Sequence, residues 1–353
     1  MAQYSSVKKP AFFIPFMDYA QSIGNVEYQD DELNDIHLLN PAKTHRITEE
    51  DGWWDGGEIQ YDIDFKKPVK WSNIADTDNE VYIFILGHNF ASTDCSIKFK
   101  FKDDEDIYTD ATSRTSIIND NGDGSAPTYN GFSILKTVHG NNNVWGLRII
   151  IKGHSAESNG EIKIGCVSLC SKWNPPRTPD LNLKINREYD GVKTITTKGG
   201  ATLSNAQYTR GGTFWATSYA WELPYGEGTD AASYTEDNGY IKSQRTLGRR
   251  NWDLKFSYIN DSDLMPEFES WLYYETEYTD TINKSIKDSH SFFARVLNRV
   301  QGSHLPFIFL PNDTDPNYNP DQWAIVRFDQ SEFDINQVAN SVYDISLKLT
   351  EVW

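Results

Sequence analysis

Seven histidines, at positions 37, 45, 88, 139, 154, 290 and 304, are the first residues to test for chemistry, and each stands alone in the sequence. A lone histidine without a neighbouring acid or nucleophile reads as a turn cap or a surface group before it reads as a base or a ligand. His88, in LGHNF, ends an apolar run, so a turn-capping or surface role is the expectation there. The sequence carries no G-x-S-x-G elbow, no H-E-x-x-H, no P-loop, and no G-x-G-x-x-G between a strand and a helix. Carboxylates cluster as DDEL at 30–33, EED at 49–51 and DDED at 103–106. Such runs are normally solvated loop charge, whereas glycoside hydrolysis needs two carboxyls set across a sugar, one with a raised pKa. The expectation is a protein that is not an enzyme and holds no cofactor.

Four smaller constellations each carry two readings. Asn119 to Gly124 (NDNGDG) places oxygens at alternate positions with glycine sixth, like half of a calcium loop, but the twelfth position is Asn130, not a bidentate glutamate. A plain Asn/Gly turn is the simpler reading. Cys95, Cys166 and Cys170 are too few and too odd in number for a disulfide scaffold, which fits a reducing cytosol. Strand periodicity puts Cys166 and Cys170 on one face, as buried small hydrophobes in preference to zinc ligands, so no metal is expected. Trp53 and Trp54 in DGWWDGG, with Tyr129, are candidates for stacking on sugar rings; the other reading of the two indoles is a plug closing a sandwich. Arg249 and Arg250 in TLGRRNWDLKF are interface candidates, expected to form salt bridges within the chain or to an identical neighbour. Trp353 closes the alternating run SVYDISLKLTEVW and joins them, its indole expected either in its own sandwich or against an adjacent subunit.

The elements that must position these residues are mostly strands. Residues 58–65, 81–86, 95–101, 131–138, 144–151 and 161–169 read as short strands, several alternating apolar and polar, with turn formers between them. The segment KWNPPRTPD at 172–180 holds three prolines in nine residues and marks a boundary. The predicted organisation is a jelly-roll β-sandwich over 1–173, a proline-rich linker at 174–179, and a second β-sandwich over 180–353. The second half is expected to carry one long helix at 289–301, capped by Ser289 or Ser291 and stopped at Gly302, and a shorter one over 263–275. Its strands are expected at 251–259, 305–311, 323–329 and 341–353.

Composition narrows the partners. The 353 residues carry 33 Lys and Arg against 51 Asp and Glu, a net charge of −18. That field repels nucleic acid and anionic lipid, so neither is expected as a specific partner. Aromatic residues make up 14% of the chain, which argues for packed domains over disorder. The longest apolar run is far shorter than the roughly 20 residues of a membrane helix, and AFFIPFM, broken by Pro15, lacks the marks of a secretory signal.

Four stretches, KKPAFFIPFMDY, VYIFILGHNFAS, GRRNWDLKFSYI and NPDQWAIVRFDQSEFDINQVANSVYDISLKLTEVW, together resemble minor structural proteins of tailed bacteriophages. The first half is similar to galactose-binding-like jelly rolls, with a strand running into LGHN and a later strand carrying VWGLRI. The second half resembles the tail-tube-related fold of distal tail proteins, in the order RNWDLKFSYI, helix after His290, LPFIFLP, YDISLKLTEVW. The domain order is the reverse of the usual distal tail protein. The resemblance implies a virion structural protein, made and assembled in the host cytoplasm: a homo-oligomeric ring in the tail or tail tip that contacts other tail proteins and links the tube to host-contacting parts. Two alternatives stand beside it: a carbohydrate-binding adhesin gripping a host surface glycan, and a capsid decoration or neck adaptor protein.

Overall fold

The apolar run VYIFIL shows how the sequence builds the fold. Its strand, Val81–His88, is buried along its whole length. Val81, Ile83 and Ile85 enter one hydrophobic core and Tyr82, Phe84 and Leu86 another, so the strand must lie inside a sheet covered on both faces. The chain is described by a computed structural model over residues 7–29, 35–40, 43, 45–47, 58–128, 130–140, 143–153, 162–188, 192–206, 249–267, 286, 289–314 and 322–352.

The molecule is mainly β. In chain order the strands are β1 (Ala11–Pro15), β2 (Val26–Gln29), β3 (His45–Ile47), β4 (Glu58–Lys70), β5 (Val81–His88), β6 (Ser96–Lys102), β7 (Tyr108–Asp110), β8 (Ser113–Ile118), β9 (Gly131–Val138), β10 (Asn143–Lys152), β11 (Ile162–Ile164) and β12 (Cys166–Trp173). There follow β13 (Lys184–Glu188), β14 (Val192–Thr196), β15 (Thr202–Ala206), β16 (Arg249–Asn260), β17 (Phe307–Leu310), β18 (Ala324–Phe328), β19 (Ile335–Ala339) and β20 (Val342–Glu351). An antiparallel sheet of order β13-β16-β20-β18-β17-β1-β12-β5-β9-β8, with β19 also on β20, runs through both halves of the sequence. The join is β1, which pairs β12 on one side and β17 on the other.

A second sheet, β2-β4-β10-β6-β7, packs over the first half. Its inward residues Tyr61, Ile63, Phe99, Phe101, Leu147 and Ile149 meet Ile83, Ile85, Val167 and Leu169 of the main sheet in one core. Over the second half, Phe12, Phe256, Phe307, Phe309 and Phe328 form another core with Phe292, Val296 and Leu297. Burying a large apolar side chain is worth about 1.5–3 kcal/mol, so the aromatic richness of the sequence accounts for much of this packing. Cys166 and Cys170 fall on one face of β12, together in the third core, and all three cysteines are free and buried.

Several expected elements differ in form. The strand anticipated over 161–169 breaks at Gly165: β11 pairs with β3, while β12 continues in the main sheet. The long helix anticipated at 289–301 is instead a five-residue π-helix, Phe293–Leu297, closed by the five-residue step from Asn298 N–H to Phe293 O at 2.9 Å. Ser291 Oγ does accept the Ala294 N–H at 3.3 Å, and Gly302 ends the segment at φ +69°. The shorter helix, anticipated over 263–275, is a single turn that starts earlier, Asp261–Leu264; residues 268–275 lie outside the described residues.

Candidate functional site

Of the residues singled out for function, Trp53, Trp54, Tyr129 and Trp353 lie outside the described residues. Arg250 is described, and it is engaged within the chain. Its Nε and Nη2 donate to the two carboxylate oxygens of Glu351 at 3.0 and 2.7 Å, its backbone N–H donates to the same carboxylate, and Nη2 also reaches Trp323 O at 2.7 Å. This bidentate pair ties β16 to the end of β20. Arg249 stands opposite Glu188 in the β13–β16 ladder.

The outer face of the second sheet carries a charged network fixed by strand register. Asp62 and Arg148 are direct cross-strand partners, joined by two bonds of 2.6 Å. Asp64, Gly146 and Lys102 form the next row across β4, β10 and β6. A Cβ at 146 would lie 2.7 Å from Asp64 Oδ1 and 2.8 Å from Ile63 O, so glycine leaves the gap through which Lys102 Nζ reaches Asp64 at 2.9 Å. Tyr108 donates to Asp64 at 3.0 Å, and the Arg148 guanidinium lies 3.8 Å from its ring centre. Burial, aided by the two carboxylates, drives the Tyr108 phenol pKa far up, so it serves as a donor.

His88 and Ser133 look at first like a base and a nucleophile, with Nε2 3.0 Å from Oγ. Their polarity is the reverse of what acyl transfer needs. The Phe90 N–H donates to His88 Nδ1 at 3.4 Å, which leaves the proton on Nε2 pointing at Ser133, whose hydroxyl donates onward to Asn119 O at 2.6 Å. Burial lowers the His88 pKa to about 3, and both side chains are enclosed. The pair caps the β5 turn.

Burial likewise lowers His37, His45 and His290 to about 4 and raises the Cys95 thiol to about 11, so none of these is a charged imidazole or a thiolate near neutral pH. In the Asn119–Gly124 turn the Asp120 carboxylate is taken by Arg114, whose Nε donates at 3.1 Å. Among the described residues no group of three or more His, Cys, Asp or Glu is placed to hold a metal ion. In the DDED run Asp103 caps its own turn through the Glu105 and Ile107 N–H groups, and Asp106 pairs with Lys102 at 3.0 Å.

Two features had no signal in the sequence. Arg295 in the π-helix and Arg299 just after it, both buried, reach to the one-turn helix Trp71–Ile74: Arg295 donates to Ser72 O at 2.8 Å and to Asn73 O, and Arg299 donates to Asn73 O and to Ser171 Oγ at 2.9 Å. Beside the turn that they hold, a cleft of about 280 Å³ opens against His139 and Asn143. The other feature is the β14–β15 hairpin. It pairs with no other strand among the described residues, and its cross-strand pair Ile195 and Leu203 is 63% and 60% exposed.

No family model and no curated protein matches the chain. Among solved structures, a DUF4466 family protein from Parabacteroides merdae aligns with 88% of this chain and 98% of its own, at 9% identity and a TM-score of 0.19. A likeness that slight carries no argument about fold or function.

Proposed function

We propose that the chain is a virion structural protein of a tailed phage, a ring-forming subunit of the tail or tail tip that joins the tube to host-contacting parts and is assembled in the host cytoplasm. The observation that carries this reading is the β14–β15 hairpin. A two-stranded ribbon that pairs with no other strand among the described residues is marginal on its own in water, and one that shows an isoleucine and a leucine side by side gains stability when a neighbour covers them. Its charge points to the neighbour. Over 184–206, Lys184, Arg187, Lys193 and Lys198 stand against Glu188 and Asp190, a net +2 in a chain whose net charge is −18. A locally basic arm on an acidic subunit is complementary to the next copy, and such head-to-tail contacts generate rings when the rotation closes. The pairing of Arg250, Arg148, Lys102 and Lys172 within the chain fits the same reading, since these cations are committed to holding the subunit's shape.

The test is to replace Ile195 and Leu203 by aspartate and follow size-exclusion chromatography with light scattering. Wild type is expected to run as a closed oligomer and the double variant as a monomer with an unchanged melting temperature. A double variant that assembles like wild type would remove the support given by the hairpin.

A further inference from the structure

The turn between β6 and β7, DDEDI at 103–107, is the acidic counterpart of the β14–β15 hairpin. It carries four carboxylates in five residues, and Ile107 stands beside them 51% exposed. The turn has a fixed shape: Asp103 Oδ1 accepts the Glu105 and Ile107 N–H groups at 3.0 and 2.9 Å, and the Asp103 N–H donates to Ile107 O at 3.0 Å. Lys102, the neighbouring cation, is committed to Asp64 and Asp106. Asp104 and Glu105 are exposed. A surface shaped before contact loses little freedom when a partner settles on it.

Strand order sets the two features at opposite ends of the molecule. β13, which precedes the hairpin, is one terminal strand of the main sheet, and β8 is the other. At about 4.8 Å between neighbouring strands, the two lie roughly 43 Å apart along the sheet. β7 is the edge strand of the second sheet, and only Ala111 and Thr112 separate it from β8, so the β6–β7 turn belongs to the β8 end. Within one subunit the turn and the hairpin cannot meet. Between copies they match in charge and in apolar content: a net +2 over 184–206, with Lys198 exposed and the pair Ile195 and Leu203 uncovered, against a net −4 over 103–107 with Ile107 uncovered. A second acidic loop, DQSEFD at 329–334, lies in the same half as the hairpin, and its Phe333 packs against the core, so it offers charge without an apolar contact.

We propose that the Ile195–Leu203 face of the hairpin is covered by the β6–β7 turn of a second copy of this chain, with Ile107 on the apolar pair and Asp104 and Glu105 answering the lysines of the hairpin. The proposal rests on the ring-forming reading and adds which surface of the next copy the hairpin takes. A contact between two different surfaces at opposite ends repeats head to tail, so each subunit donates one hairpin and receives another.

Native mass spectrometry of the full chain tests it with two variants, one carrying Asp104→Lys and Glu105→Lys and the other Ile195→Asp and Leu203→Asp. All four positions are exposed, so both variants should melt as wild type does. Each alone should show an oligomer population at least about tenfold below wild type. Mixed, they should form a 1:1 dimer and nothing larger, because the intact hairpin of the first variant can take the intact turn of the second while the remaining two surfaces are disabled. Glu332→Lys with Asp334→Lys makes the same charge change on the other acidic loop and should assemble as wild type. A turn variant that assembles like wild type would overturn this inference and leave the ring reading standing. Loss of assembly in the 332/334 variant, or a mixture that stays monomeric, would overturn it as well. A monomeric wild type would overturn both readings.

Discussion

Asp18 shows what a single residue does here that its sequence neighbours do not announce. It follows FFIPFM on a short helix, and burial lifts its pKa to about 7 although both carboxylate oxygens accept the Leu39 N–H, at 3.2 and 3.1 Å. The folded state therefore holds the proton more tightly than the unfolded chain. Stability from this group is fully present below the ordinary carboxylate pKa and is lost as pH rises from about 4 through about 7. Asp18→Asn keeps one acceptor for Leu39 and removes the titration. Its urea-unfolding free energy should stay flatter between pH 4 and 7, and at pH 8 it should exceed wild type by up to about 4 kcal/mol. A wild-type profile that rises over the same window would show that Asp18 is ionised and paired. At this scale the sequence was legible where periodicity sufficed. The shared face of Cys166 and Cys170 follows from strand spacing; His88, expected as a turn cap or a surface group, is a cap but is fully buried. The burial of Asp18 and of the His139 ring depends on residues distant in sequence, so no local pattern marks either.

At the scale of elements, hydrophobic alternation located most strands, and the departures have identifiable causes. The chain passes from one sheet to another at Gly165, between Ile164 and Cys166, a break that apolar alternation on both sides conceals. The π-turn at Phe293–Leu297 coincides with Arg295 and Arg299 turning inward to main-chain carbonyls, an arrangement that the apolar stripe of the same segment hides. The last strand was readable as a strand, and the structure adds its place in the middle of the main sheet, between β16 and β18, sealed by Arg250 and Glu351. Glu351→Ala would leave a guanidinium that is 14% exposed without its carboxylate, and should cost about 3–5 kcal/mol in denaturant unfolding. Adding Arg250→Met should recover part of that loss. A single-variant cost below about 1 kcal/mol would show that the pair behaves as a solvated one.

For the whole molecule, alternation and composition indicated a β-rich, aromatic-packed chain, and the proline-rich segment at 172–180 suggested a division near residue 174. What composition does not reveal is that one sheet threads through that region. β1, from the N-terminal stretch AFFIP, lies between β12 and β17 because its alternate residues serve two cores: Phe12 and Ile14 face one, Ala11 and Phe13 the other. Lys172 is held 2.7 Å from Asp313, and Asn174 donates to Pro10 O at 3.1 Å, so the proline-bearing segment starts from an anchored point. A slab built this way suits a subunit that transmits load between neighbours, and the exposed, locally basic hairpin suits one that grips the next copy. Native mass spectrometry of the full chain at micromolar concentration tests this most directly. The structural-subunit reading predicts a single closed homo-oligomer whose population falls as ionic strength rises; a monomer at every concentration and salt would contradict it.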